Sequence, residues 1–396
     1  MGRLSISVAR RASKMKAFVN AKLYPVASAP IERGALLVDG EKLVAVGSNF
    51  EIPSEAQVID CNGRVILPGF VDTHTHVGLW GESEGPASYD GNEGGNPVTP
   101  QVRAIDAINP RHISFADARM GGVTTVEITP GSGNPIGGQM CVLKTAGSIV
   151  DEMVLRDYNG MKAALGENPK GSYGRGRHMC PGTRMGTAAV MRGAFYEARA
   201  YQEKRAKDPQ AELSLRWEPL VQVLEGKVPL RVHAHRADDI VTAVRLGEEF
   251  GIKLQIEHGT DAAVVADFLA EKQIPVNLGP SFWNRAKIET QAISFATAGV
   301  LERAGVSVSL ISDHPFFPIQ YVSVAIAMAH AAGMTATGAL RAYTLSAAAH
   351  MGVADRVGSL EAGKDADFTI WDGSPFSIRS HILETYINGE PVYTRA

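Results

Sequence analysis

The chain has 396 residues, of which 45% are hydrophobic and 20% are charged, a composition typical of a globular protein. The formal net charge of −3 at pH 7 favours neither nucleic acid nor a membrane surface as a partner. No apolar run approaches the roughly 20 residues that a membrane helix needs. The three cysteines have no paired spacing, which fits a reducing compartment, and we expect a cytoplasmic protein.

The first fourteen residues are basic and lack acidic residues. They fit either a targeting peptide or a start codon assigned too early, with Met15 as the true start. We favour the second interpretation, because the segment has no apolar core long enough for a secretory signal.

Short alternating strands around Asp-Gly and Asn-Gly dipeptides are predicted from Lys16 to about Val65. The C-terminal segments GSLEAGKDADFTIWDG and ILETYINGEPVYTRA have the same pattern. The simplest interpretation is one β domain built from both chain ends, residues 15–66 and 346–396.

Between these ends, residues 67–345 alternate apolar strand-like runs with longer helical segments, which predicts an α/β domain with a closed parallel barrel. Only residues 145–159 separate the third run from the fourth. The eight predicted strands are FVDTHTHVG, GGVTTVEITPG, GQMCVLKTAG, GMKAALGE, PLRVHAHRA, IKLQIEHGT, IPVNLGP and GVSVSLISDHP.

Ionisable side chains collect at the predicted carboxyl ends of these strands, the rim where barrel enzymes build their active sites. Imidazoles and carboxylates suit Zn²⁺ or another divalent transition metal, and such an ion lowers the pKa of bound water to about 7. An aspartate beside that water can pass a proton to a leaving nitrogen. The residues are His74, His76, Lys162, Glu167, His233, His235, His258, Asp313 and His314.

Single members of this set also fit ordinary structural roles. His74 and His76 point the same way at a strand end, but a His-x-His pair also occurs in ordinary polar loops. Asp313 fits the general acid/base role, and it also fits a helix N-cap after the eighth strand. The number of strand ends that supply such residues favours a site.

In this order, the motifs PGFVDTHTHVG, GGVTTV, VHAH, IEHGT, SDHP and GSLEAGKDADFTIWD resemble the amidohydrolase superfamily of metal-dependent hydrolases, from about Lys16 onward. The similar branch contains the imidazolonepropionase-related amidohydrolases and metallodipeptidases. The resemblance implies a (β/α)₈ TIM barrel with a small β-sandwich domain formed by both termini. It also implies a ligand set of His74, His76, His233, His258 and Asp313.

The resemblance leaves the number of ions open at one or two, with Zn²⁺ favoured. In binuclear members a carboxylated lysine on the fourth strand bridges two metals, and Lys162 occupies that position. Glu167 is the alternative bridging ligand. A third interpretation has Lys162 facing the helix layer beside a mononuclear site.

Three further residues are predicted to contact substrate: His235, Arg236 and His314. Arg236 stands where deaminases of the superfamily carry an acid, and a guanidinium cannot act as that acid. It could bind a substrate carboxylate, or pair with Asp238 or Asp239 instead. Lys287 is a weaker candidate.

We therefore expect a metal-dependent hydrolase of a C–N bond, in a cyclic amide or a small peptide-like amide, with Asp313 as general acid/base. The expected partner is a small-molecule or dipeptide-like substrate, and formation of a homo-oligomer is left open. The alternatives are a deaminase acting on a small heterocycle and a non-catalytic binding or assembly protein.

Overall fold

The computed structural model describes residues 15–81, 85–282 and 285–396. Both interpretations of residues 1–14 concern residues outside these ranges, so they stay predictions. Within the described ranges, no helix combines the length and the apolar character needed to cross a membrane.

Strands and helices alternate over most of the described chain. The strands are β1 (Lys16–Leu23), β2 (Ile31–Asp39), β3 (Lys42–Gly47), β4 (Gln57–Asp60), β5 (Val65–Pro68), β6 (Phe70–Thr75), β7 (Val123–Ile128), β8 (Ile136–Lys144), β9 (Val154–Ala164), β10 (Leu230–Ala234), β11 (Leu254–His258), β12 (Val276–Leu278), β13 (Val308–Leu310), β14 (Phe368–Trp371), β15 (Ile382–Ile387) and β16 (Glu390–Thr394). The α-helices are α1 (Ile113–Met120), α2 (Val150–Met153), α3 (Glu167–Pro169), α4 (Arg184–Lys207), α5 (Glu218–Leu224), α6 (Ala237–Phe250), α7 (Ala266–Glu271), α8 (Ala296–Ala304), α9 (Val322–Ala331), α10 (Ala336–Ala342) and α11 (Leu345–His350).

Both ends of the chain contribute to one sheet, with the order β16-β15-β14-β5-β1-β2-β3 and with β4 paired to β1. Phe18, Phe368 and Tyr386 pack together in its core, where the rings of Phe368 and Tyr386 stack with centroids 4.5 Å apart. The patterns at the two chain ends predict this combination of strands. Its description as a β-sandwich, and the domain boundaries, stay predictions.

The Asn-Gly signal near the C-terminus does form a hairpin. Asn388 and Gly389 join β15 to β16 with φ values of 53° and 75°. Tight hairpin turns need positive φ at both central residues, which Asn and Gly tolerate better than other residues.

The second sheet has the order β13-β12-β11-β10-β9-β8-β7-β6, so all eight predicted strands are present in chain order. Residues beyond β13 meet β6 through two backbone hydrogen bonds. Asp313 N–H donates to His74 O at 3.0 Å, and His76 N–H donates to His314 O at 2.9 Å. The sheet is therefore nearly closed into a barrel.

The prediction of an all-parallel barrel is wrong at the third strand. β8 runs antiparallel to both β7 and β9, whereas β6–β7 and β9 through β13 pair in parallel. Residues 129–135 connect β7 to β8, and residues 145–153 connect β8 to β9. A parallel crossover needs a dozen or more residues, so connections this short favour reversal of the chain.

Helix α6 shows how the layer around the barrel positions the site. It begins at Ala237, two residues after His235, and buries Ile240, Val244 and Phe250 while packing on β10 and β11. It ends at Gly251, whose φ of 67° is the left-handed conformation common after a helix. Its packing fixes the two strands that carry three of the histidines.

Candidate metal centre

The six residues predicted to bind metal are buried and lie where the parallel barrel strands end. Because these carboxyl ends meet at one rim, side chains from different strands converge there. The residues are His74 in β6, His76 just after it, Lys162 in β9, His233 in β10, His258 in β11 and Asp313 after β13.

The His-x-His pair is oriented by hydrogen bonds to its Nδ1 atoms. His74 Nδ1–H donates to Glu257 Oε2 at 2.7 Å, and His76 Nδ1–H donates to the backbone oxygen of Thr129 at 2.7 Å. Both Nε2 atoms therefore face the rim, at 3.4 Å and 3.1 Å from Asp313 Oδ1. Two imidazole nitrogens and one carboxylate oxygen are ligand types that Zn²⁺ uses.

A second group of imidazoles comes from β10 and β11. His258 Nδ1–H donates to Gly279 O, and His235 Nδ1 lies beside Thr260 Oγ1, both at 2.8 Å. His258 Nε2, His235 Nε2 and His233 Nδ1 are buried and have no hydrogen-bond partner among the described residues. Buried polar atoms are rarely left without a partner, so these nitrogens indicate a bound group.

Two sets of three ligand atoms lie within 4.8 Å of one another: one from His74, His258 and Asp313, and one from His233, His235 and His258. His258 belongs to both sets. His235, predicted to contact substrate, thus shares one set of candidate ligand atoms with His258 and the predicted ligand His233.

Burial keeps these imidazoles neutral. It lowers the pKa of His258 to about 3 and lowers the pKa values of His233 and His235 well below their usual value. Burial also lowers the pKa of His76, although Asp313 opposes that effect. Neutral imidazole is the form that binds metal, so the rings need not lose a proton at pH 7.

Two of these residues have strained backbone conformations. His258 has a φ of 74° and Asp313 a φ of 50°, both in the left-handed region. Such residues cost about 1–3 kcal/mol each and concentrate at functional sites. The strained backbones direct both side chains towards the shared site.

Lys162 and Glu167 occupy different places. Lys162 Nζ is buried 3.1 Å from His74 Nε2, and burial lowers the lysine's pKa to about 8. Glu167 begins α3 and exchanges hydrogen bonds with Glu289: its N–H donates to Glu289 Oε2 at 2.8 Å, and its Oε1 accepts from Glu289 N–H at 3.3 Å. The structure thus places Lys162, and not Glu167, against a histidine of the predicted ligand set.

A buried ionic network contacts His74 on the Nδ1 side of its ring, opposite the proposed metal. The guanidinium of Arg231 donates to Glu127 Oε2 and to Glu257 Oε1, and all three side chains are fully buried. Asn277 Nδ2 donates to the same Oε1 of Glu257 at 2.9 Å, so Oε2 is left for His74. Burial would raise the pKa of Glu257, but Arg231 and His74 hold it below its usual range.

A cavity of about 630 Å³ adjoins the centre and has His76, His233 and Asp313 in its lining. Trp80 and Phe316 form an aromatic wall. The Trp80 ring centroid lies 4.2 Å from that of His76 and 5.3 Å from that of Phe316. The volume is within the range of small-molecule sites.

The rest of the lining is polar. Lys287 Nζ donates to Asn168 Oδ1 at 2.7 Å, and burial lowers the pKa of Lys287. Glu167 lies in this wall, and so do Ser132 and Gly133 from the turn between β7 and β8. The glycine-rich segment GSGNPIGG thus brings backbone to the cavity.

The remaining predicted substrate contacts lie elsewhere. Arg236 forms a two-pronged ion pair with Asp238 at 2.9 Å and 2.8 Å, which is the alternative that the sequence left open. His314 is buried, and its Nδ1 accepts from Ile319 N–H at 3.3 Å. His235 lines a separate, much smaller cavity. None of the three is among the described residues that line the 630 Å³ cavity.

Sequence reasoning missed the ionic network and most of the cavity wall. A usable signal exists for Arg231 and Glu257, because charged residues inside otherwise apolar strands need buried partners. Trp80 and Phe316 lie in loops, Asn168 lies in the three-residue helix α3, and no strand period marks any of them.

Comparison with known proteins agrees with this arrangement. Residues 225–393 match the model of the amidohydrolase family. The crystal structure of an amidohydrolase from Thermotoga maritima MSB8 is 43% identical, covers 96% of this chain and 100% of its own, and has a TM-score of 0.93. The chain therefore belongs to the amidohydrolase family, which indicates an enzyme acting on C–N bonds.

Two curated relatives differ in length. Amidohydrolase tasK of Hapsidospora irregularis is 29% identical over 390 residues, which are 91% of this chain but 39% of that protein. An imidazolonepropionase of Rhizobium rhizogenes is 28% identical over 403 residues, 91% of this chain and 92% of that protein. The chain thus spans well under half of the first relative and nearly all of the second.

Proposed function

We propose that this protein hydrolyses a C–N bond in a cyclic amide or a small peptide-like amide and uses one or two divalent metal ions, with Zn²⁺ favoured. The observation that carries the proposal is the set of buried imidazole nitrogens that face one rim without a partner. Neutral imidazole nitrogens without a protein partner are the ligand atoms that a divalent transition metal binds, which favours a metal at this rim.

The residues at the rim fit a metal. The proposed ligands are His74, His76, His233, His258 and Asp313, and the hydrogen bonds at Nδ1 of His74, His76 and His258 leave each Nε2 free to ligate. Such outward hydrogen bonds are usual for metal-binding histidines. A bound divalent ion would supply Lewis-acid polarisation of the carbonyl and a more acidic water.

Asp313 is the proposed general acid/base. It lines the cavity, and its Oδ1 lies 3.1 Å from His76 Nε2. Burial would raise the pKa of its carboxyl, but the adjoining imidazoles of His74 and His76 hold that pKa well below the usual value, so Asp313 begins the reaction ionised. It can then accept a proton from the attacking water and deliver it to the departing nitrogen.

The proposed substrate is a small molecule or a dipeptide-like amide that fits about 630 Å³. Trp80 and Phe316 would pack against its apolar part. Lys287 and Asn168, on the polar wall, would orient its polar or anionic part. The imidazolonepropionase similarity favours cyclic amides as the first compounds to test.

Lys162 is the proposed bridging ligand after carboxylation, in preference to Glu167. Its amine is buried against His74, and a lowered pKa increases the fraction of neutral amine, the form that reacts with CO₂. The carbamate would be a buried anion, and the charge of the divalent ions would compensate it.

The test is the metal content per chain of wild type and Lys162→Ala, purified with Zn²⁺ and bicarbonate. We expect about two ions in wild type and a clear loss in the variant. Lys287→Ala is the matched control, because it removes a lysine of the cavity lining that is not a proposed ligand, and it should keep its metal. One ion in both wild type and Lys162→Ala would contradict the lysine bridge.

Activity is measured on a panel of cyclic amides and dipeptides, by ring opening or amine release. Release of ammonia from heterocycles would indicate the deaminase alternative instead. A wild-type protein that holds no metal under these conditions would contradict the hydrolase proposal as a whole.

A further inference from the structure

The histidines at the centre differ in the group that accepts the hydrogen bond from Nδ1. His76 and His258 donate to backbone oxygens of Thr129 and Gly279. His74 instead donates to a carboxylate, that of Glu257, at 2.7 Å, and both side chains are fully buried. A backbone carbonyl cannot be changed by substitution, whereas a carboxylate adds charge and can be altered.

We propose that Glu257 is a positioning residue that fixes the tautomer of His74 and thereby sets the affinity of the centre for a divalent cation. The inference rests on the proposed function, because it takes His74 as a ligand. Glu257 itself does not touch the cavity, so it acts through the histidine.

The argument begins with the two oxygens of Glu257. Oε1 accepts from Arg231 Nε and from Asn277 Nδ2, and Oε2 accepts from His74 Nδ1. A carboxylate can accept at both oxygens and donates at neither. In a neutral His74 ring the proton is therefore held at Nδ1, and the Nε2 lone pair faces Asp313 and Lys162.

Charge supports the same conclusion. Two carboxylates, Glu127 and Glu257, face the single guanidinium of Arg231 in a fully buried cluster. With both acids ionised the cluster carries one negative charge in excess, directly behind His74. Of the two carboxylates, only that of Glu257 is hydrogen-bonded to the His74 ring, and a carboxylate in that position strengthens a metal site through the histidine.

The substitution Glu257→Gln removes the carboxylate that accepts from His74 but keeps the size of the side chain. Its effect on metal binding is therefore distinct from a loss of packing. Two donors, Arg231 and Asn277, fix the amide oxygen at the position of Oε1. The amide NH₂ then faces His74 Nδ1, which must become an acceptor. The ring proton moves to Nε2, and that nitrogen no longer has a lone pair for a metal.

Glu127→Gln is the matched control. It also removes one carboxylate from Arg231, and Glu127 is equally buried, but Glu127 does not contact His74. Both variants should lose similar stability, and only Glu257→Gln should change the tautomer. A general defect in the barrel core would affect both alike.

The experiment is chelator competition for Zn²⁺ on the full chain, with thermal unfolding of the metal-free proteins as the stability control. We expect Glu257→Gln to bind Zn²⁺ about 10- to 100-fold more weakly than wild type. Glu127→Gln should stay within about threefold of wild type, because its contacts end at Arg231 and Asn159. Equal affinities in the two variants would overturn the inference.

A second measurement covers the case in which Glu257→Gln does not fold. Nitrogen-15 spectra of histidine-labelled, metal-free wild type report the tautomer, and His74→Asn identifies the signal. A proton at Nδ1 supports the proposal, and a proton at Nε2 overturns it. If wild type itself binds no divalent ion, the proposed function fails, which is a different result from two variants that bind alike.

Discussion

Asp313 holds a strained backbone conformation and a carboxylate at the centre of the site. Its φ of 50° is one that Asn and Asp tolerate better than other residues with a Cβ. A residue at this position must therefore combine an acid/base group with tolerance of a positive φ. Asparagine tolerates the same φ, but its amide cannot act as an acid or base, which makes Asp313→Asn an informative change.

We expect Asp313→Asn to reduce kcat by at least about 100-fold, because an amide cannot accept the proton from water. The melting temperature of the metal-free variant should stay close to that of metal-free wild type, since asparagine accepts the same φ. Asp238→Asn is the control, because that carboxylate pairs with Arg236 outside the cavity. Retention of most activity in Asp313→Asn would contradict the general acid/base role.

The residues that the sequence could identify are those with an unusual type at a periodic position. His74 and His76 were identifiable because two imidazoles follow an apolar strand with period two, and His233 and Asp313 because strands of the same kind precede them. Trp80 and Phe316 were not identifiable, because aromatic residues in loops are common and their approach to the cavity depends on loop conformation.

At the scale of elements, strand β8 shows the limit of pattern reading. Its apolar run predicts a strand but contains no information about direction. Side chains alternate between the two faces of a sheet in the same way whether the strand runs parallel or antiparallel to its neighbours. The connections decide it: residues 129–135 and 145–153 are too short for a parallel crossover. The existence and order of all eight strands were therefore predictable, and the direction of the third depends on counting loop residues.

The reversed strand also makes an ionic contact with the other sheet. Lys144, the last residue of β8, is buried with its Nζ 2.9 Å from Asp365 Oδ2 and in contact with Asp367, just before β14. Removal of the Lys144 cation would leave the buried carboxylates of Asp365 and Asp367 with less compensating positive charge. Burial already raises the pKa of Asp367.

We expect Lys144→Met to lower the free energy of unfolding by about 3 kcal/mol, which urea denaturation measures. Arg103→Met is the control, since Arg103 pairs with Asp106 at the surface, where ion pairs contribute little. Adding Asp367→Asn to Lys144→Met should recover part of the loss. Similar midpoints for Lys144→Met and Arg103→Met would contradict a structural role for the buried pair.

At the scale of the whole molecule, the proposed ligands come from distant parts of the sequence, from His74 to Asp313. The unfolded chain cannot hold them together, so a metal that binds them stabilises the folded state. At a free concentration 100 times its dissociation constant, the gain is about 2.7 kcal/mol.

We therefore expect a chelator to lower the melting temperature by several degrees and added Zn²⁺ to restore it. Mg²⁺ should restore it poorly, because imidazole-rich sites favour transition metals. The measurement is calorimetry of the same sample before chelation, after it and after Zn²⁺ is returned. An unchanged transition after complete metal removal would contradict the proposed centre.

Because β8 runs backwards, one strand of nine residues, about 30 Å long, crosses the barrel from the cavity to the sheet of the chain termini. The turn before it supplies Ser132 and Gly133 to the cavity lining, and its far end holds Asp365 and Asp367 through Lys144. A deletion that begins at Asp365 would therefore spare every proposed ligand and still remove both carboxylates that hold the far end of this strand.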